Sequence, residues 1–368
     1  MRPGDEITIE PAELVAGGAA LARVDGFPIF ATNVFPGDVA RVRLLEVKKG
    51  FARADLIEIV RPSALRRAAP CPIADECGGC DWTALRLDAQ LQAKERILRE
   101  SLRRIGKIYD GPDITLHPSP LNYRIRSRLH RDGDKVGFFA MRSNEVVPLA
   151  RECEVVGLRT ASECGAGGAA LKAAASPPHS EIWEVGGRLI AEGEFTIEGY
   201  VVTADAFFQV NRHLLGTLTR RVTELVSPSR RTAVDLYAGV GFFTVPLSRL
   251  FERVIAVEGS PVSHRCGKIN APRAKWFNAA VEQWVRDMPR ADFVFLDPPR
   301  AGARREVIDA VARRAKERIA YLSCDPVTFS RDANRLIASG WHLATLDLLD
   351  LFPNTHHVET LASFEREA

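Results

Sequence analysis

Two sets of residues in this chain have the types and spacing that chemistry needs. The first is a group of thiols. Cys71, Cys77 and Cys80 lie in "CPIADECGGC" with spacing Cys-x5-Cys-x2-Cys, and Cys153 follows far downstream in "ARECEVV". Four thiolates suit either a tetrahedral zinc or an iron–sulfur cluster, and spacing alone does not choose between them. Gly78 and Gly79 let the loop fold tightly around such a group. The second set starts with "RIAYLSCDPV". An apolar run, Ile319 to Leu322, ends at Ser323 and is followed by Cys324, Asp325 and Pro326. Proline cannot donate to a strand ladder, so Cys324 falls at a strand tip, where open α/β sheets place their ligands. A lone cysteine otherwise reads as a small buried hydrophobe, so its neighbours must decide. One such neighbour is Glu359 in "NTHHVETLASF", set after His356 and His357 just inside an apolar stretch. A carboxyl there is partly desolvated, with a raised pKa suited to accepting a proton.

A nucleoside site is written between these. In "VDLYAGVGFFT" a strand runs into Gly239-Val240-Gly241 and then a helix, and Glu258 closes the next strand, "VIAVEG". A glycine turn over a helix start, with an acid at the second strand tip to accept from ribose hydroxyls, binds either a dinucleotide or S-adenosylmethionine. Thr244 stands where the dinucleotide fingerprint needs its third glycine. Asp297, in "FLDPPRAG", is held rigidly by two prolines at the tip of a further strand.

These groups need elements to hold them. Residues 1–61 read as five short strands, "EITIEPAEL", "AALARVDG", "FPIFATNV", "DVARVRLLEV" and "FARADLIEIV", punctuated by glycine turns. That pattern suggests a small OB-like barrel. A helix is expected from Trp82 to about Ile108, carrying Leu85, Leu87, Leu91, Ile97, Leu98 and Leu102 at helical spacing. Residues 121–200 read as strand-rich, with a surface excursion at the Gly/Ala-rich segment 164–176 and Ser176-Pro177-Pro178. From about residue 200 the pattern alternates strand and helix. Four apolar strands, "TAVDLYAGVG", "RVIAVEGS", "DFVFLDPPR" and "RIAYLSCDP", imply a parallel, doubly wound sheet.

Composition bounds the rest. A chain of 368 residues, 46% hydrophobic, supports two or three cores and does not read as disordered. Seven cysteines, an odd number in a long chain, argue for reduced thiols rather than a disulfide framework. No apolar run reaches the roughly 18 residues that span a bilayer, and the charged start "MRPGDEITIE" is unlike a secretory signal. The expectation is a soluble, cytoplasmic protein. Net charge is only +3, but basic residues crowd the first half: Lys48, Lys49, Arg53, Arg61, Arg66 and Arg67, then Arg96, Arg99, Arg103, Arg104 and Lys107, then Arg124, Arg126, Arg128 and Arg131. A basic face of this kind fits a polyanion.

With these pieces in order, the chain resembles the RNA uracil-5 methyltransferase family, the S-adenosylmethionine-dependent enzymes that make 5-methyluridine in 23S rRNA or tRNA. "DAFFQVN" (205–211), "DLYAGVG", "VEGS", "LDPPRAG", "YLSCDP" and "HHVET" occur in that family's order, and "NYRIRSRLH" (122–130) is similar to its basic segment. The resemblance implies an α/β protein of three parts: an OB-like TRAM domain (1–61), a central α+β domain with an iron–sulfur loop (62–200), and a Rossmann-like S-adenosylmethionine methyltransferase domain (201–368), with helix 82–108 packing on the last. It makes Cys324 the nucleophile and Glu359 the base. It places Gln209, Tyr237, Gly239, Glu258 and Asp297 around S-adenosylmethionine, and Cys71, Cys77, Cys80 and Cys153 on a [4Fe-4S] cluster. RNA is the implied partner, with no membrane and no obligate protein partner. The implied target is a uridine of 23S rRNA, with uridine 54 of tRNA as the alternative; a non-catalytic RNA-binding protein that retains a cofactor pocket is the reading of another class. Methylation of cytosine carbon 5 uses the same thiolate addition, but its usual Pro-Cys motif is missing here. Three positions depart from the family pattern: Asp325 replaces Asn beside the thiol, Phe242 replaces a polar residue, and Ala280 replaces Asn or Asp. A carboxylate at position 325 is expected to raise the pKa of its neighbour.

Overall fold

Alternation of small and branched apolar residues builds the N-terminal sheet. Strands β1 (Glu6–Ile9), β2 (Glu13–Leu14), β3 (Ala20–Val24), β4 (Phe27–Thr32), β5 (Val39–Val47) and β6 (Ala52–Arg61) form one sheet in the order β1-β5-β6-β4-β3-β2. Six strands stand where five were expected, because "EITIEPAEL" breaks at Pro11 into two. Ala20, Ala22, Ala31, Ala40, Ala52 and Ala54 are all buried, and register shifts between β5 and β6 add local twist. The computed structural model describes residues 1–158, 160, 162 and 179–366; the excursion expected at 164–178 lies outside them.

Helix α1 spans Leu87–Arg104, shorter than the expected 82–108. Residues 82–86 form a turn instead, because the Trp82 amide donates to Asn354 O and the Arg86 amide to Leu65 O. One face of α1 buries Ile97, Leu98 and Leu102. Lys94 is buried on the same face, 2.6 Å from Asp350. Losing one partner of such an enclosed pair costs about 3–5 kcal/mol, because the other charge is left uncompensated. Strand β7 (Ile114–His117) follows. Next comes a five-stranded antiparallel sheet in the order β10-β9-β8-β11-β12, made of β8 (Arg126–Asp132), β9 (Lys135–Phe139), β10 (Val146–Pro148), β11 (His179–Val185) and β12 (Arg188–Ile190). Strands β13 (Glu194–Ile197) and β14 (Tyr200–Thr203) make a hairpin.

The remaining chain winds into an eight-stranded sheet. Its elements are α2 (Leu215–Glu224), β15 (Thr232–Leu236), α3 (Thr244–Leu250), β16 (Arg253–Glu258), α4 (Pro261–Asn270), β17 (Lys275–Asn278), α5 (Val281–Trp284), β18 (Ala291–Leu296), α6 (Arg305–Arg314), β19 (Ala315–Ser323), α7 (Pro326–Ala338), β20 (Trp341–Leu349) and β21 (Glu359–Arg366). Strand order is β17-β16-β15-β18-β19-β21-β20-β7. Strands β15 to β19 pair in parallel, whereas β21 runs antiparallel to both β19 and β20. Every residue of β18 is buried, as a strand covered on both faces requires. Val294 and Leu296 face one core with α1 and the N-terminal sheet; Phe293 and Phe295 face the other with α2 and α3. The edge strand β7 comes from the segment before residue 200. It pairs in parallel with β20, and His117 Nε2 lies 2.7 Å from Asp347 Oδ1. No helix among the described residues is long and apolar enough to cross a membrane.

Candidate active site

The C-terminal tips of β15, β16, β18 and β19 line one crevice. At the first tip, Tyr237 adopts a positive φ of 62°, unusual for a bulky residue, and its hydroxyl donates to Glu282 at 3.0 Å. Gly239 (φ 55°) and Gly241 (φ 87°) complete the turn. Glu258 closes it from the second tip, accepting from the Gly239 amide at 2.8 Å and the Ser260 amide at 2.6 Å. A side chain added at Gly239 would meet nothing within 4 Å, so this turn borders open space with its acid alongside. Such a turn fits a nucleoside with ribose hydroxyls towards Glu258. Below it, Asp235 is buried and accepts from Thr244 Oγ1; burial pushes its carboxyl up to about 7.

The departures from the family pattern have local reasons. Phe242 is 6% exposed and packs in an aromatic cluster with Tyr200, Phe208 and Phe243, so it belongs to the core. Ala280 precedes α5, and nearby Asn278 donates to the Glu258 and Gly259 carbonyls. Asp325 is the N-cap of α7, accepting from the Val327 and Thr328 amides at 3.0 and 2.7 Å. Such a cap stabilises a helix by about 1 kcal/mol. With its carboxylate so engaged, Asp325 is the smallest of the influences on the thiol beside it.

At the third and fourth tips the reactive groups meet. Register pairs Ser323 with Thr360, so Cys324 and Glu359 sit at the same end of adjacent strands. Cys324 is half-buried, and burial pushes its thiol up to about 12; the Glu359 and Asp297 carboxyls add to this, and Arg300 opposes it. Glu359 is buried, and its carboxyl is held well above the usual range by burial and by Asp297. Asp297 keeps partial solvent contact; it accepts from Gln209 Nε2 at 3.2 Å and is pushed up to about 8, by burial first and Asp235 second. Arg300 is a cation that acts on both the Cys324 thiol and the Glu359 carboxyl, favouring their charged forms.

Sequence reasoning missed the frame around this centre. A cavity of about 90 Å³ is lined by Cys324, Arg300, His356, His357 and, from the distant β2–β3 turn, Ala16 and Gly17. Arg300 donates to the His357 ring at 2.9 Å, consistent with a neutral imidazole that burial pushes down to about 3. His356 donates from Nδ1 to Asp81 at 2.6 Å and from its amide at 3.0 Å. The Asp81 contact carried no motif; only its position after Cys80 marks it. A Cβ on Gly18 (φ 86°) would press within 2.4 Å of Asp81 and 2.9 Å of His356, so only glycine fits there.

Cys71, Cys77, Cys80 and Cys153 line a separate cavity with Phe138 and Asn354. Burial raises the thiols of Cys71, Cys77 and Cys80. Gly78 packs on β9 so closely that a Cβ would lie 2.8 Å from Phe139 O. Among the described residues no three His, Cys, Asp or Glu side chains are grouped as a single bound ion needs. Much of the basic face is already paired: Arg66 with Asp38, Arg67 with Glu154, Arg99 with Glu95, Arg103 and Arg104 with Glu100, and Arg126 and Arg128 with Glu181.

Three comparisons place this geometry. The family model described as tRNA (uracil-5-)-methyltransferase matches residues 285–367, the stretch that carries Asp297, Cys324 and Glu359. An uncharacterized RNA methyltransferase of Bdellovibrio bacteriovorus is 31% identical over 98% of this chain and 95% of its own length. Another, from Corynebacterium efficiens, is 32% identical over 99% and 96%. Among solved structures, the fold is similar to that of Pyrococcus abyssi tRNA (uracil-54, C5)-methyltransferase in complex with S-adenosyl-L-homocysteine, with TM-score 0.74, 21% identity, and coverage of 97% of this chain and 100% of that one. On sequence, fold and the residues gathered at the strand tips, the chain is an RNA methyltransferase and belongs to the RNA uracil-5 methyltransferase family.

Proposed function

We propose that this protein methylates carbon 5 of a uridine in RNA through a covalent bond between Cys324 and the base. The observation that carries this is the pairing of Ser323 with Thr360, which sets a thiol and a buried carboxyl side by side at the crevice. Carbon 5 of uracil is a weak nucleophile. The half-exposed Cys324 thiol gives its proton to solvent, and its sulfur bonds carbon 6 while the electron pair of the double bond moves onto the carbonyl oxygen at carbon 4. S-adenosylmethionine, when bound, supplies an electrophilic methyl group. Glu359 then takes the proton from carbon 5, the double bond re-forms, and the carbon 6–sulfur bond breaks to free the thiolate. The raised pKa of Glu359 makes it a stronger acceptor than an ordinary carboxylate. Gly239, Tyr237, Glu258, Gln209 and Asp297 would hold the methyl donor, which the open glycine turn supports. The target base must leave its stack to reach Cys324.

The four cysteines are assigned to a [4Fe-4S] cluster. Their convergence on one cavity supports this, and iron content with the visible absorbance of an anaerobic preparation separates it from zinc. Cys71→Ser is expected to remove the iron and weaken RNA binding while leaving S-adenosylmethionine affinity unchanged. Residues 1–61 act as a TRAM-type RNA platform, 62–200 as the central domain and 201–368 as the methyltransferase domain, with α1 and β7 lent to the last by the central segment. The working site is the cytoplasm.

The first target is a uridine of 23S rRNA. Uridine 54 of tRNA is the second reading, favoured by the likeness to the archaeal tRNA enzyme. Incubating the protein with labelled S-adenosylmethionine and unmodified transcripts of both RNAs, then mapping 5-methyluridine, tests the function and the target together. Label in neither RNA, or on cytosine, would overturn the proposal.

A further inference from the structure

Asn354 has no part in the chemistry above, yet its backbone and side chain are both engaged. It is 1% exposed and holds a positive φ of 66°. Its amide donates to Gln90 Oε1 at 2.7 Å, and its carbonyl accepts from the Trp82 amide at 3.0 Å. Its side-chain oxygen accepts from Arg67 Nη2 at 3.0 Å and Gln90 Nε2 at 3.1 Å. Its side-chain nitrogen donates to Glu154 Oε2 at 3.0 Å, and Glu154 is itself paired with Arg67. Backbone and side chain are thus satisfied by four residues from three separate stretches of chain.

The places of these partners give the arrangement meaning. Asn354 lines the cysteine cavity, and Glu154 follows Cys153 directly. In the other direction Asn354 belongs to the segment between β20 and β21, which leads through His356 and His357 to Glu359. That segment is tied at other points in the same way. Lys94 bonds Asp350 and the Phe352 carbonyl, the Tyr123 hydroxyl donates to the Pro353 carbonyl, and Asp81, directly after Cys80, accepts twice from His356. Residues next to two of the four cysteines therefore grip the strap that carries the base. A buried amide with every group paired is a rigid joint, because breaking one bond leaves an orphaned polar atom.

We propose that Asn354 is a positioning residue that joins the cysteine-lined cavity to Glu359, so that the geometry of the base depends on the order of the cysteine loop. The inference rests on the reading of Glu359 as the base. It predicts a defect confined to one step: addition and methyl transfer proceed through Cys324, while removal of the carbon 5 proton slows.

A donor–acceptor swap tests it in the full-length, iron-loaded protein. Asn354→Asp tolerates the positive φ and keeps the bonds from Arg67 and Gln90, but turns a carboxylate oxygen towards Glu154. We expect turnover to fall about tenfold or more, since small misplacements at a reacting group have effects of that order. The Michaelis constant for S-adenosylmethionine and the iron content should stay at parent values. A denaturation-resistant protein–RNA complex should accumulate, as with Glu359→Gln. Combining Asn354→Asp with Glu154→Gln restores a donor facing an acceptor, and Arg67 exchanges its carboxylate at 154 for one at 354 while keeping the Oε1 contact, so turnover should recover most of the loss. Should the acidic variant fail to fold, Asn354→Gly keeps the positive φ, removes only the side chain, and should give the same split. Parent turnover in the single variant, lost turnover without the complex, or no rescue in the double variant would each overturn the inference. If Glu359→Gln accumulates the complex and the Asn354 variants do not, the base reading stands and the joint falls. If none accumulates it, the base reading fails first.

Discussion

On the proposed cofactor side of the crevice, the contacts that shape the glycine turn come from nearby chain: Gly239 and Ser260 on Glu258, Tyr237 on Glu282, Asn278 on the carbonyls of Glu258 and Gly259. On the catalytic side, Cys324 shares its cavity with Gly17, and the segment between β20 and β21 that leads to Glu359 is tied to Asp81, Gln90 and Lys94. The first side is a local motif on a parallel sheet and can work wherever that sheet folds. The second exists only when the N-terminal sheet, the cysteine loop, α1 and the eight-stranded sheet are together. Damage on the first side should therefore be local, whereas damage on the second should reveal which step each distant piece supports.

The largest effect separates the sides outright. Cys324→Ala should lower methylation by about 10⁴-fold or more, with no covalent RNA complex and an unchanged affinity for S-adenosylmethionine, because the thiol is the proposed bond-forming group. Retained methylation would return Cys324 to the role of a core thiol. Glu359→Gln should slow turnover by about 10²–10⁴-fold and trap the denaturation-resistant complex, which the double variant with Cys324→Ala should lack. Normal turnover there would move the base to another group. On the other side, Glu258→Gln turns an amide N–H towards one of two backbone amides. It should weaken S-adenosylmethionine binding by about tenfold to a hundredfold in calorimetry, with RNA affinity preserved. Equal loss of RNA binding would mean that the sides are not separate.

Salt should affect the catalytic side more modestly than the count of basic residues implies. Among the residues of the sequence clusters, Lys49, Arg96, Lys107 and Arg124 have no ion pair with any of the described residues. About four phosphate contacts correspond to a log–log slope of affinity against salt near −3. A slope near −10 would mean that the internal pairs open on RNA. The smallest effect is on stability. The Asp297 carboxyl lies near 8 when folded against an ordinary 3.8, so the unfolded chain ionises first and stability falls as pH rises between those values. Asp297→Asn, which still accepts from Gln209, should raise Tm at pH 8 by about a few degrees, with the gain vanishing near pH 4. An equal gain at both pH values would exclude burial of the charge as its cause.

The same contrast explains what the sequence disclosed. Strands β15, β16, β18 and β19 were legible as apolar runs, because a strand covered on both faces must be apolar throughout. Glu258 and the glycine turn were legible because their partners are near in sequence. Strand β7 was not: four residues of mixed polarity carry no periodicity, and their partner β20 is far downstream. Trp82 read as the start of a helix because its apolar side chain fits the period, while the Asn354 carbonyl that claims its amide is invisible from local pattern. Asp81, Gln90 and Lys94 belong to no motif and were not singled out. Each acquires its role from a residue of the segment 350–356, and no spacing rule reaches so far.

That late meeting of β7 and β20 has a consequence for synthesis. Ile114 leaves the ribosome long before Leu346, its register partner. Until β20, β21 and β19 have zipped together, the nascent catalytic sheet ends in an unpaired edge, a template for pairing with another chain. A gene fragment beginning at residue 201 would keep every strand from β15 onwards yet leave β20 permanently uncapped. Aggregation of such a fragment, and its recovery when 87–117 are supplied on a second polypeptide, would follow from where the chain places its eighth strand.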